Sequence, residues 1–170
     1  MASVLKVDTI KSLTGNEAIT ISESGVPQLN VPAFHVRRDS AQSVTAATPV
    51  IVQFNDVLFD TNSYWDAVNN RYTPQIAGYY QFNGQVYGVA TSEDILIGGF
   101  YKNAADTFLR ADIRLVPGGT DISLAILNFS GLIYMNGSTD NVQVFIHVSG
   151  TGTSAGAAYT HFQGFLVRGA

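Results

Sequence analysis

Cysteine is absent from the chain, which excludes a disulfide framework, thiolate metal ligation and a cysteine nucleophile. Charge is scarce as well: Asp, Glu, Lys and Arg together make 13% of the residues, for a net charge of -4. The nine basic residues are scattered, with Arg37 and Arg38 the one adjacent pair. The clustered basic footprint that neutralises phosphates is therefore missing, and nucleic acid is not an expected partner. Residues 1–11 carry Lys6, Asp8 and Lys11 and hold no apolar run of signal-peptide or membrane-span length. An unprocessed product made in the cytoplasm is expected, with no membrane partner. Aromatic residues, too, are missing from the first 31 positions, and without large side chains that stretch cannot build a core of its own.

What is present begins where that stretch ends. All 19 Phe, Tyr and Trp side chains fall between Phe34 and the C-terminus, so a domain is expected over 32–170, preceded by an attachment arm or stalk over 1–31. Hydrophobic residues make 46% of the 170. That is too apolar for a disordered chain, and the charge is too thin for a monomer that covers its own apolar surface, so contact with another subunit is expected.

Apolar and polar positions alternate with the two-residue period of half-buried strands over 34–37, 50–54, 79–89, 95–101, 107–115, 122–129, 141–148 and 158–168. Turn clusters separate them, among them Asn69-Asn70, Pro117-Gly118-Gly119 and Asn136-Gly137-Ser138. No window sustains a 3.6-residue apolar period. The expected fold class is all-β, a sandwich or jelly roll. Two short β-prone pieces, 4–10 and 18–21, are expected in the arm.

Catalytic chemistry finds little to stand on. His35, His147 and His161 are isolated along the chain, and no Gly-x-Ser-x-Gly is present. Residues 150–156 look superficially like a phosphate-binding loop but lack its Gly-Lys-Ser/Thr ending. Glu93 and Asp94 are adjacent in a turn and read as a solvated loop tip rather than a glycosidase pair. Asp56, Asp60, Asp66 and Asn62 offer oxygens, but not at EF-hand spacing, so no metal and no cofactor is assigned.

Several motifs occur in a set order: Phe34, Phe54-Asn55, Tyr64-Trp65-Asp66, Tyr72-Thr73-Pro74, Gly78-Tyr79-Tyr80-Gln81-Phe82, Asp140-Asn141-Val142-Gln143-Val144 and Phe162-Gln163-Gly164-Phe165-Leu166. In that order and spacing the chain resembles the C1q-like branch of the C1q/tumour-necrosis-factor superfamily, over about 32–170. The resemblance implies a ten-stranded jelly roll that assembles as a homotrimer and is not an enzyme. Two segments of the arm, 5–11 and 17–21, resemble the N-termini of tail-fibre-like bacteriophage virion proteins. Together the two resemblances imply a virion structural protein, made in the host cytoplasm and held to another virion protein through residues 1–31. A short tail fibre or receptor-binding protein is the first expectation, a head-decoration or head-fibre protein the second and a C1q-like lectin module the third.

Strand faces nominate residues for these roles. Side chains alternate across a strand, so Tyr80, Phe82, Gly84, Val86 and Gly88 suit the interior of a sandwich. Tyr79, Gln81, Gln85 and Tyr87 face the other way and suit a subunit contact, where Tyr and Gln bury area while keeping hydrogen bonds. On the strand 141–148, Phe145 and His147 are assigned to the same contact, where His147 could add a pH-sensitive contribution. Pro74, Gly78 and Gly164 read as backbone devices, Gly164 marking a bulge or a close backbone approach. Candidate ligand residues sit in loops, at Asn62, Tyr64 and Trp65 and at Glu93 and Asp94, the partner being a host glycan or protein. For Trp65 the choice is between stacking on a sugar and packing in the head.

Overall fold

The computed structural model describes residues 7–11, 17–44, 48–88, 95–104, 106–114, 125–148, 153–155 and 159–170. The chain divides into two compact units, Met1–Val31 and Pro32–Ala170. Among the described residues, every strand pairing in either unit is antiparallel.

The first unit holds a three-stranded sheet in the order β1 (Thr9–Lys11), β2 (Glu17–Ile21) and β3 (Pro27–Leu29). A turn around Gly25, with φ at +78°, joins β2 to β3. The Ser22 hydroxyl fixes this turn by accepting the Val26 amide at 3.1 Å. β3 had no signal in the sequence because it contains Pro27, which a strand tolerates at its first residue.

The second unit, the head, is a sandwich of two sheets. Its strands are β4 (Ala33–Arg38), β5 (Gln42–Val44), β6 (Val50–Ile51), β7 (Asp56–Asp60), β8 (Trp65–Asp66), β9 (Arg71–Tyr72), β10 (Gly78–Gly88), β11 (Ile95–Lys102), β12 (Asp106–Arg114), β13 (Ala125–Met135), β14 (Val142–Val148), β15 (Thr153–Ala155) and β16 (Thr160–Gly169). In the first sheet β10 lies between β13 and β16, β16 continues to β4 and β7, and β15 and β5 extend the sheet beyond the end of β10. In the second, β14 lies between β11 and the short strands β6 and β9, with β12 and β8 outermost. Among the described residues there is no helix.

The interior follows from β10. Tyr80, Phe82, Gly84, Val86 and Gly88 are buried, as their alternation predicts. From across the sandwich they meet Phe100 and Tyr72, whose rings lie 6.1 Å from that of Phe82. Phe34 stacks on Tyr72 at 3.9 Å and meets Phe162 edge-on at 4.8 Å, which joins the first and last head strands to the opposite sheet. Such aromatic pairs add about 0.5–1.5 kcal/mol each beyond the area they bury.

β7 was not expected, because Val57, Leu58 and Phe59 are consecutively apolar without alternation; all three are exposed at the sheet edge. β13 runs on to Met135 rather than ending at Phe129. The turn after it matches its Asn-Gly-Ser signal: the Asn136 Oδ1 accepts the amides of Ser138, Thr139 and Asp140 at 3.0 Å, and Gly137 has φ +72°. Asp140 closes the turn by accepting Lys102 Nζ at 2.9 Å and the Asn136 amide at 3.0 Å. Pro117-Gly118-Gly119 lies outside the described residues.

Candidate functional site

The outward face of the first sheet is the candidate site. Opposed residues of an antiparallel pair share a face, so the register writes out its rows. Leu132, Gln81 and Phe165 form one row; Ser130, Asn83, Gln163, His35 and Phe59 form the next; Asn128, Gln85, His161, Arg37 and Asp56 form a third. Tyr134 and Tyr79 stand at one end, their rings 5.4 Å apart. Ile126 and Tyr87 stand at the other, where Tyr87 lies 5.6 Å from the ring of Tyr159. Two apolar ends thus flank an amide-rich band, which carries a depression of about 290 Å³ lined by Asn83, Gly84, Asn128, Phe129, Ser130 and His161.

This face is uncovered, and its ends are apolar. Leu132 is 52% exposed, Tyr79 45% and Phe165 45%. Among the described residues, every exposed large apolar side chain of the head lies on a strand of this sheet or, as Tyr159 does, next to one, apart from Val68 and Ile76. Among the described residues, charge on the face is limited to the Arg37–Asp56 pair, at 2.6 Å, and to Arg168, opposite Tyr79.

The other outward face is different. Phe145 and Gln143 lie on it and are already buried within the chain: Phe145 stacks on Tyr101 at 4.2 Å and Gln143 donates to the Asn69 carbonyl at 2.8 Å. His147, half-buried, pairs opposite Ile97 on the same sheet. The six residues assigned from the sequence to one contact are therefore divided. Tyr79, Gln81, Gln85 and Tyr87 share the uncovered face, while Phe145 and His147 sit on the far side of the sandwich.

Two of the three histidines are not isolated. His35 and His161 are far apart in sequence, but the pairing of β4 with β16 brings their rings to 5.6 Å. Phe59 covers His35 edge-on at 6.1 Å. Burial, aided by the Arg37 guanidinium, holds the His35 imidazole below its ordinary value of 6.5. Burial and then the neighbouring His35 do the same for His161. The folded head consequently binds fewer protons than the unfolded chain just below pH 6.5. Its stability is fully present above that pH and falls as the pH drops through 6.5 toward the depressed folded values. Thermal melts should show Tm declining between about pH 7 and pH 5, and a His35→Gln/His161→Gln variant should be flat over that interval. Asp39, Asp66 and Asp140, held below the usual carboxylate value of 3.8, act only at lower pH.

The candidate ligand residues near Asn62 are held by the head. Trp65 is half-buried against the core, with its ring about 6 Å from those of Phe34, Phe54 and Phe162, and Tyr64 packs there too. Asn62 is half-buried and accepts the Thr61 hydroxyl at 2.8 Å. The carboxylates considered for calcium each have protein partners: Asp56 holds Arg37, Asp60 accepts the Trp65 amide at 2.8 Å, and Asp66 accepts Asn69 and Arg71. Glu93, Asp94 and most of 150–156 lie outside the described residues.

Leu132, Tyr134, Ile126 and Phe165 were missed as members of the site. In β13 the sequence Ala-Ile-Leu-Asn-Phe-Ser-Gly-Leu-Ile-Tyr-Met puts apolar residues on both faces, so alternation does not single out the outward set.

Neither a family model nor a curated protein matches the chain. Solved structures do. The globular domain of zebrafish complement 1qA protein is similar at 18% identity, over 82% of this chain and 99% of that one, with a TM-score of 0.56. Eiger TNF from S. frugiperda is similar at 11% identity, over 83% and 95%, with a TM-score of 0.66. Murine APRIL is similar at 11% identity, over 81% and 99%, with a TM-score of 0.59. These likenesses establish the C1q/TNF jelly-roll fold for the head.

Proposed function

We propose that the chain is a non-enzymatic virion protein of a bacteriophage: a homotrimer whose heads associate through the outward face of the first sheet and whose arm, residues 1–31, anchors it to another virion protein. One observation carries the self-association. Tyr79, Ile126, Leu132, Tyr134 and Phe165 stand exposed on one face of the sandwich, whereas Phe145 and Gln143 on the opposite face are already covered within the chain. A second copy suits this face because its charges are few and Arg37 is neutralised by Asp56, so like faces meet without strong repulsion. A threefold arrangement closes, leaving no uncovered copy of the face to propagate into a filament.

The virion assignment draws support from the resemblance of the arm segments and from the division of the chain after Val31. Three heads on one particle site would raise avidity for a repeated host glycan or protein, which favours a short tail fibre or receptor-binding role. Gold-labelled antibody on particles of the source virus tests this. Label at the tail supports host recognition, label over the head makes it a decoration protein, and unlabelled particles overturn the virion reading.

A further inference from the structure

The arm carries a second uncovered face, which the register defines. Ile10 pairs with Ile19 and Ile19 with Leu29, so these three side chains form one transverse row on the same side of the sheet. Ile21 and Pro27, two residues along their strands, add a second row to that side. The opposite side carries Thr9, Thr20 and Gln28. Ile10 is 45% exposed and Leu29 62%. A one-layer sheet has nothing of its own to lay against such a face, and an amphipathic sheet needs a second layer.

From this we infer that the Ile10–Ile19–Leu29 face packs against the same face of the other copies, so that three arms close into a prism with an aliphatic axis and outward Thr9, Thr20 and Gln28. The inference rests on the trimeric reading of the heads. Two observations select copies of the arm over a foreign partner. Each arm is continuous with a head, so trimeric heads hold three arms together at an effective concentration of roughly millimolar. Five side chains of the face are moreover aliphatic or proline, with the paired positions Lys11 and Glu17 and the exposed Asp8 lying at its ends, so the middle of the face complements itself without pairing charges.

The absence of cysteine makes the test direct, since each single cysteine placed in the full-length chain is its only thiol. Leu29→Cys and Ile19→Cys probe the apolar side, Gln28→Cys and Thr20→Cys the other. Treated with a bismaleimide whose spacer spans about 10 Å, the separation of packed sheets, Leu29→Cys and Ile19→Cys should link chains in pairs, leaving the third copy free. Gln28→Cys and Thr20→Cys should remain unlinked, and all four proteins should sediment as trimers. Trimers in which Leu29→Cys and Ile19→Cys stay unlinked, or in which Gln28→Cys links equally well, overturn the prism and leave the trimeric heads intact. Monomers throughout overturn the trimeric reading and the prism with it.

Discussion

A Gly164→Ala substitution should cost the head about 2–3 kcal/mol, and Gly164→Val should exceed about 4 kcal/mol and leave little folded protein. A Cβ at this position would lie 2.6 Å from Phe82 Cδ1, 2.9 Å from the Gln81 carbonyl oxygen and 3.0 Å from Phe34 Cε1. None of these atoms can step aside cheaply. The Phe82 ring is fully buried and touches Phe34, Tyr72, Phe100 and Phe162; the Gln81 carbonyl belongs to a strand paired on both sides. β16 is itself held between β10 and β4, so the backbone cannot bow outward without breaking two ladders. The irregularity in this pairing falls between Tyr79 and Tyr80, not at Gly164. Of its two sequence readings, close approach is the one the geometry supports. Urea unfolding should show a lower midpoint at unchanged slope. A Gly164→Ala protein as stable as the parent would mean that β16 does not lie in this register.

Truncating Trp65 to alanine should cost about 3 kcal/mol. Its indole closes one side of the aromatic cluster, and removing it strips contacts from Phe34, Phe54 and Phe162 together. Among the described residues the indole N–H has no hydrogen-bond partner. Trp65→Phe therefore forfeits packing volume without orphaning an acceptor, and should retain most of the stability. Calorimetry on the two variants decides between packing and recognition at this residue. Unchanged melting of Trp65→Ala with loss of attachment to host cells would return Trp65 to the ligand-binding role.

The faces of β10 could be read from sequence because one strand alternates cleanly, with Tyr80, Phe82 and Val86 on one side and Gln81, Asn83 and Gln85 on the other. The same alternation holds on β14, where Val142, Val144, Ile146 and Val148 are buried. It could not say which of two outward faces Phe145 and His147 would occupy, because alternation defines the two sides of a strand but not the sheet that carries it. The pairing of His35 with His161 escaped for a related reason. It depends on the register between the first and last strands of the head, which no local pattern encodes. β7 lacked alternation altogether: at the sheet edge Val57, Leu58 and Phe59 are all exposed, so no side of the strand is marked as inward.

The central claim is that the heads meet through the face bearing Leu132, Gln81 and Phe165. Sedimentation equilibrium on the full-length chain and on a Leu132→Asp/Phe165→Asp variant tests it most directly, with His147→Ala as a control on the opposite sheet. The parent and the control should have three times the 18.2 kDa mass of one chain, and the double variant should fall to a single chain with its β-sheet circular dichroism intact. A parent protein that sediments as one chain, or a double variant that stays trimeric, would contradict it.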